Sequence, residues 1–291
     1  MTHHVHCPPK INLYLRVVGR REDGFHELET VFQSVSGGDE LCGEEDTAFT
    51  LACDDPEIPT DERNLVVKAG LLLQERFPET AGRGARLELR KGTPVGAGMG
   101  GGSVNGAAAL HLLARLWDCS PSEEVLAELA AALGSDVPFF LRGGTALARG
   151  RGEALAPLPT PSLWFVLVKP PVSVHTGWAY RRWNPAVSSG PTVEACIAAV
   201  RDGDPLRIAT VLRNDLEPGV VTGVPEIAAA RSWLEQQGVL RARMTGSGSV
   251  VFGICRDESH AREIAARPCD QGHVWAARSL NAVEAALVVT D

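Results

Sequence analysis

Pro94-Val95-Gly96-Ala97-Gly98-Met99-Gly100-Gly101-Gly102-Ser103 places five glycines in seven residues between a strand-like and a helix-like segment. Upstream, residues 85–91 alternate, with Leu87 and Leu89 on one face, as a half-buried strand does. Downstream, Ala107, Leu110, Leu113 and Ala114 recur at helical spacing and predict a helix over about 103–116. Glycines at this density cost backbone entropy, but they let a loop turn tightly and aim successive N–H groups at one point. A helix N-terminus just beyond adds unpaired N–H groups and the positive end of its dipole. The pattern suits a di- or triphosphate better than a free surface loop. No lysine follows the glycines, which excludes a Walker A loop. Gly96, Gly98 and Gly101 fit G-x-G-x-x-G, but a dinucleotide fold wants an acid closing the next strand about 20 residues on. Asp118 has the distance but follows a helix, so that reading fails on context.

Outward from the loop, Ile11, Leu13, Leu15 and Val17 alternate with Lys10, Asn12, Tyr14 and Arg16, which predicts a strand with Lys10 and Asn12 opposite the apolar set. Residues 19–26 read as a polar turn and 28–35 as a second strand. Asn64 is placed to cap a helix carrying Leu65, Leu72, Leu73 and Phe77. Ser120, Pro121 and Glu123 read as a capping box, with Gly134 ending that helix. A short strand is expected near 145–149, and the three prolines of 156–162 suggest a linker. Beyond it come strands at 163–168, 239–245, 249–255 and 273–279, and helices near 193–202, 205–213 and 225–237. Strands and helices mix without strict alternation, which favours an α+β fold.

The 291 residues suit two domains, and 44% hydrophobic with 22% charged residues allows a core of ordinary size. A net charge of −8 argues against nucleic acid or an anionic membrane surface as partner. It also means that an anionic nucleotide has to find its positive charge locally. Seven cysteines without a C-x-x-C suggest reduced thiols. Residues 1–6 lack the pattern of a signal peptide, so a cytoplasmic location is expected, with His3, His4 and His6 in a frayed terminus. Oligomeric state is left at monomer or homodimer.

The proline, glycine loop, serine and helix resemble the phosphate loop of the GHMP kinases. Leu133-Gly134-Ser135-Asp136-Val137-Pro138-Phe139-Phe140 is similar to that family's catalytic-aspartate segment, and Met244-Thr245-Gly246-Ser247-Gly248-Ser249 to its C-terminal glycine motif, in the family order. The resemblance implies a two-domain α+β fold, residues 1–158 and 159–291, with the active site in the cleft between the domains. It implies Lys10 and Asp136 as catalytic residues. A carboxylate can orient a hydroxyl and accept its proton, and an ammonium beside it favours the ionised form and offsets developing negative charge. On the same resemblance Asn64, Leu65, Lys91, Pro94, Gly96, Gly98, Gly100, Gly101, Gly102 and Ser103 would hold ATP, accompanied by Mg²⁺ whose protein ligands it leaves open.

The N-terminal block, Pro8-Pro9-Lys10-Ile11-Asn12-Leu13, then Gly19-Arg20-Arg21-Glu22-Asp23-Gly24-Phe25-His26, then Phe32-Gln33, and Asn214-Asp215-Leu216-Glu217-Pro218 resemble the branch of the family whose acceptor is CDP-methylerythritol, in the non-mevalonate route to isoprenoids. Asn12, Phe25, His26, Tyr180, Gly246, Ser247 and Gly248 would then bind the acceptor. A pyrimidine would lie between aromatic faces with His26 at its polar edge. The alternatives are a family kinase for another small alcohol, such as homoserine or mevalonate, and a nucleotide-binding protein without catalysis.

Overall fold

The computed structural model describes all 291 residues. The first half holds β1 (His3–Cys7), β2 (Lys10–Arg20), β3 (His26–Ser34), β4 (Asp39–Asp46), β5 (Phe49–Cys53), α1 (Leu65–Arg76), β6 (Gly84–Arg90), α2 (Gly101–Leu116), α3 (Glu123–Leu133), α4 (Val137–Phe140), β7 (Thr145–Gly150) and β8 (Ala154–Leu158). The second holds β9 (Trp164–Lys169), α5 (Thr176–Arg181), α6 (Val193–Asp202), α7 (Pro205–Val211), β10 (Arg213–Asn214), α8 (Glu217–Val221), α9 (Pro225–Gln236), β11 (Arg241–Met244), β12 (Val251–Cys255), α10 (Glu258–Ala265), β13 (His273–Arg278) and β14 (Val289–Thr290). The fold is α+β, with three sheets in the orders β14-β1-β4-β6-β5, β10-β2-β3-β7-β8 and β11-β12-β9-β13.

Each sheet buries a face that its sequence periodicity marks as apolar. Val5, Leu41, Leu87 and Leu89 of the first sheet pack on Val104, Ala108 and Leu112 of α2, while His4, His6, Glu40 and Glu88 look away from that core. Phe165, Leu167 and Phe252 of the third sheet meet Ile11, Leu13 and Cys196 on one side. Val166, Val168 and Val251 meet Ile227, Leu234 and Ile264 on the other. Two short strands lace the halves together: β10 pairs with β2, and β14 pairs with β1.

Several expectations are corrected. The histidine-bearing terminus is not frayed, because His3–Cys7 is a paired strand between β14 and β4. The strand is not half-buried over its first residues: Lys10, Asn12 and Tyr14, expected opposite the apolar set, are buried as well. A register shift between Asn12 and Tyr14 breaks the simple alternation of β2. The strand thereby adds Ile11, Leu13 and Tyr14 to one cluster and Leu15 and Val17 to another. The cap of α3 is Ser122, not Ser120, and its hydroxyl accepts from Val125 N at 3.4 Å. That later start sets Glu123 and Glu124 in the first turn, where the helix dipole favours negative charge. Residues 156–158 of the proposed linker belong to β8, with Pro157 on an edge strand, where a missing N–H is tolerated. The helix expected over 205–213 ends at Val211.

Candidate active site

Lys10 opens β2, and its ammonium meets three oxygens: Asn12 Oδ1 at 2.9 Å, the Gly98 carbonyl at 3.1 Å and Asp136 Oδ2 at 3.3 Å. One cation thus joins the strand, the glycine loop and the segment before α4, matching the three donors of an ammonium. Its side chain is almost fully buried, whereas Asp136 is one-third exposed and faces the cleft. Asp136 stands at the start of α4, yet its side chain makes no capping hydrogen bond. Asn12 is fixed in turn, donating to Thr30 Oγ1 at 2.8 Å and accepting from Thr245 Oγ1 at 3.2 Å.

The glycine loop is stapled to the opposite half. Gly96 O accepts from Ser249 N at 3.0 Å, and Ala97 O accepts from Val250 N at 3.2 Å. Gly98, at φ +74°, passes so close that a Cβ would lie 2.2 Å from the Thr245 carbonyl oxygen. Gly100 caps α2 in the left-handed region. The first-turn N–H groups of Gly101, Gly102 and Ser103 have no partner within the helix. A Cβ on Gly102 would meet nothing within 4 Å, so the approach to this turn is open.

These groups border one cleft of about 1260 Å³. Every residue singled out from the sequence lines it except Gly248, which lies behind, against Met244. At one end are Asn64, Leu65, Pro94 and Lys91 with Ile58 and the exposed Val95. Asn64 acts as the cap of α1, accepting from Val66 N at 2.9 Å and donating to Pro59 O at 2.7 Å. Lys91 is tied behind the loop, paired with the fully buried Asp39 and donating to Asn105 Oδ1 at 3.0 Å. The same Asp39 carboxylate accepts from Gly92 N at 2.9 Å, Thr93 N at 2.6 Å and Asn105 Nδ2 at 2.9 Å.

At the other end His26 lies on the Tyr180 ring, centroids 5.0 Å apart and planes 28° from parallel, with Trp183 edge-on to it at 5.7 Å. His26 therefore covers one face of Tyr180 instead of standing beside a gap. Phe25 is half-exposed at the rim beneath the Arg151 guanidinium, 5.1 Å from it. Burial, helped by Arg20, pushes the His26 imidazole below its usual range. Burial, with the charge of Asp136, pushes the Tyr180 phenol up. Ser247 shares a hydrogen bond with Thr176 at 3.2 Å. Asn214 holds this corner by donating to the carbonyls of Met244 and Gly246 at 2.7 and 2.8 Å.

Sequence reasoning missed Trp183, whose buried Nε1 has no partner, the cleft-lining Arg63, Arg151 and Thr176, which fall in no motif, and a role for Arg20, which stands in the motif of residues 19–26. With Lys10, Lys91 and Arg181 these arginines make six cationic side chains on the cleft; Lys10, Lys91, Arg63 and Arg151 pair with Asp136, Asp39, Asp61 and Glu153, which leaves Arg20 and Arg181 without a carboxylate partner. A chain of net charge −8 thus keeps local positive charge in this cleft, as polyanionic ligands require.

A three-sheet α+β fold with a glycine loop at a helix N-terminus and a Lys–Asp pair beside it defines the GHMP kinase class. Family models match here: GHMP kinases N terminal domain over residues 64–144 and GHMP kinases C terminal over 196–274. The chain is 45% identical to the 4-diphosphocytidyl-2-C-methyl-D-erythritol kinase of Pelotomaculum thermopropionicum over 89% of its own length and 91% of the relative's. A crystal structure of a 4-(cytidine 5'-diphospho)-2C-methyl-D-erythritol kinase superposes with a TM-score of 0.81 at 36% identity, covering 95% of this chain and 98% of the other. The homoserine kinase of Cytophaga hutchinsonii shares the fold, at a TM-score of 0.70 and 20% identity over 91% and 88% of the two chains. The chain belongs to the 4-diphosphocytidyl-2-C-methyl-D-erythritol kinase family within the GHMP kinases.

Proposed function

We propose that the chain transfers the terminal phosphoryl group of ATP to the 2-hydroxyl of 4-diphosphocytidyl-2-C-methyl-D-erythritol. The observation that carries this reading is the position of the Lys10–Asp136 pair between an open helix N-terminus at one end of the cleft and an aromatic, arginine-lined chamber at the other. Residues 1–158 supply the nucleotide half and residues 159–291 the Tyr180 and Ser247 side. Asp136 orients the acceptor hydroxyl and takes its proton as the oxygen–phosphorus bond forms and ADP leaves. Lys10, fixed by Asn12 and Gly98, sits where negative charge develops on the phosphoryl oxygens.

The N–H groups of Gly101, Gly102 and Ser103 fit the nucleotide phosphates, and Leu65, Pro94 and Val95 offer apolar surface for the adenine. Mg²⁺ fits the same place. The Ser103 hydroxyl is the residue that would reach it, and the ion would offset charge shared by phosphate oxygens. The cytosine has the Tyr180–His26 stack and the Phe25 ring for recognition. Homoserine and mevalonate carry neither a base nor a diphosphate, and would leave these groups, with Arg20 and Arg181, unused.

The test is an ATP-dependent phosphorylation assay read by mass spectrometry, with CDP-methylerythritol beside mevalonate and homoserine. One added phosphate on CDP-methylerythritol alone is expected. Phosphorylation of another alcohol instead would overturn the substrate, and no product from any of them, with ATP bound, would overturn catalysis.

A further inference from the structure

The outer face of the first sheet carries a second cluster, remote from the cleft. β1 contributes His4 and His6, two residues apart and therefore on one side of the strand. The antiparallel register sets Cys42 of β4 opposite His4 and Glu40 opposite His6. The result is a two-by-two block of nitrogen, sulfur and carboxylate ligands on adjacent strands. Three of the four already converge. His4 Nδ1 is 3.0 Å from Cys42 Sγ and 3.3 Å from Glu40 Oε1, and the three ligand atoms lie within 4.8 Å of one another. A tetrahedral Zn²⁺ site, with metal–ligand bonds of about 2.0–2.3 Å, holds its ligand atoms roughly 3.3–3.7 Å apart. Cys42 is buried against the sheet, while His6 is exposed and free to turn toward the group from its cross-strand position. Glu40 meets Arg90 through its other oxygen, Oε2, at 3.4 Å, which leaves Oε1 to the cluster.

We propose that His4, His6, Glu40 and Cys42 form a divalent transition-metal site suited to Zn²⁺, a clamp between β1 and β4 with no part in catalysis. Imidazole and thiolate donors select Zn²⁺ over Mg²⁺ or Ca²⁺, which prefer all-oxygen shells. A thiol binds such a metal as its thiolate, so binding releases the Cys42 proton to solvent. None of the four residues lines the cleft.

The experiment uses the full chain, reduced and freed of metal by a chelator, without nucleotide, titrated with Co²⁺ as a spectroscopic stand-in. One equivalent should bring up the thiolate-to-cobalt charge-transfer band with tetrahedral visible bands, and Zn²⁺ should displace it. Cys42→Ser should abolish the charge-transfer band while kinase activity stays at the wild-type level. His4→Ala and His6→Ala should each weaken Co²⁺ binding by about 10–100-fold, at least the loss seen when an outer-shell partner is removed. Zn²⁺ should raise the thermal midpoint of the wild type and leave that of His4→Ala unmoved, a comparison that stands even if Cys42→Ser folds poorly. Absence of the band in the wild type, or the same band in Cys42→Ser, would refute the site, as would equal Zn²⁺ stabilisation of wild type and His4→Ala.

Discussion

Replacing Asp39 by asparagine keeps the shape of a side chain that no motif marks but that anchors the stem of the glycine loop. Oδ1 can still accept from Gly92 and Thr93, so those two bonds survive. The new amide group then faces two donors, the Lys91 ammonium and the Asn105 amide. If Asn105 turns to satisfy it, Lys91 loses the Asn105 oxygen as well. Either way an ammonium with a side chain only 9% exposed is left without its counter-charge. Removing one partner of a buried pair costs about 3–5 kcal/mol. At about 2–4 °C per kcal/mol for a chain of this size, the thermal midpoint should fall by roughly 10 °C. Because Asn105 belongs to α2 and Gly92 and Thr93 lead into the loop, the KM for ATP should rise more than kcat falls. Adding Lys91→Met should restore much of the stability by removing the stranded charge. Thermal unfolding and initial-rate kinetics on the single and double variants measure this. An Asp39→Asn protein within about 0.5 kcal/mol of wild type, the range of an ordinary surface change, would refute the reasoning.

Asp136→Asn should lower kcat by about 10²–10⁴-fold, the usual worth of a positioned acid–base group, with ATP binding by calorimetry unchanged. Gly98→Ala should unfold more easily, since φ +74° alone costs roughly 1–2 kcal/mol and the Cβ strikes the Thr245 carbonyl. Gly102→Ala should match wild type in thermal midpoint but bind ATP more weakly, because its open space is where the phosphates go. Tyr180→Leu should raise the KM for the cytidine substrate roughly tenfold to a hundredfold, from about 1–3 kcal/mol of lost stacking, and leave that for ATP alone. For pH, burial lowers the imidazole of His111, so the unfolded chain takes up a proton the folded chain refuses. That stability is fully present above the ordinary histidine value of 6.5 and is lost as pH falls below it. The slope is at most about 1.4 kcal/mol per pH unit for each such group. Urea unfolding at a series of pH values should show it, and His111→Leu should flatten it.

The strands and helices that flank the glycine loop were legible because their apolar residues recur at fixed local spacings. Lys10, Asn12 and Asp136 were legible as residues to watch, but their assembly at one ammonium was not, since Asp136 lies far along the chain from β2 and no local pattern encodes the pairing. Lys91 shows the limit more sharply. It lines the cleft, yet its partner Asp39 stands 52 residues earlier in a strand the pattern did not reveal. β4 was missed because its outward face ends in acidic residues and Gly43 interrupts its alternation. Ser120 and Ser122 offer the same hydroxyl chemistry two residues apart, so the local pattern does not distinguish them; in the structure Ser122 caps α3. Trp183 carried no signal because an unpartnered buried N–H exists only once the chain has folded around it.

The hydrogen bond from Asn12 N to Thr245 Oγ1 spans 233 residues. A ribosome adding about 5–20 residues per second therefore delivers the second partner roughly 10–50 s after the first. For the part of that interval after the glycine loop has been made, the strand bearing Lys10 and the loop lack the C-terminal segment that fastens them. The emerging half must be held by its own helices against α2. Any slowing of translation before the Met244–Ser249 segment prolongs the time in which a cationic, glycine-rich groove stands open without its opposite wall.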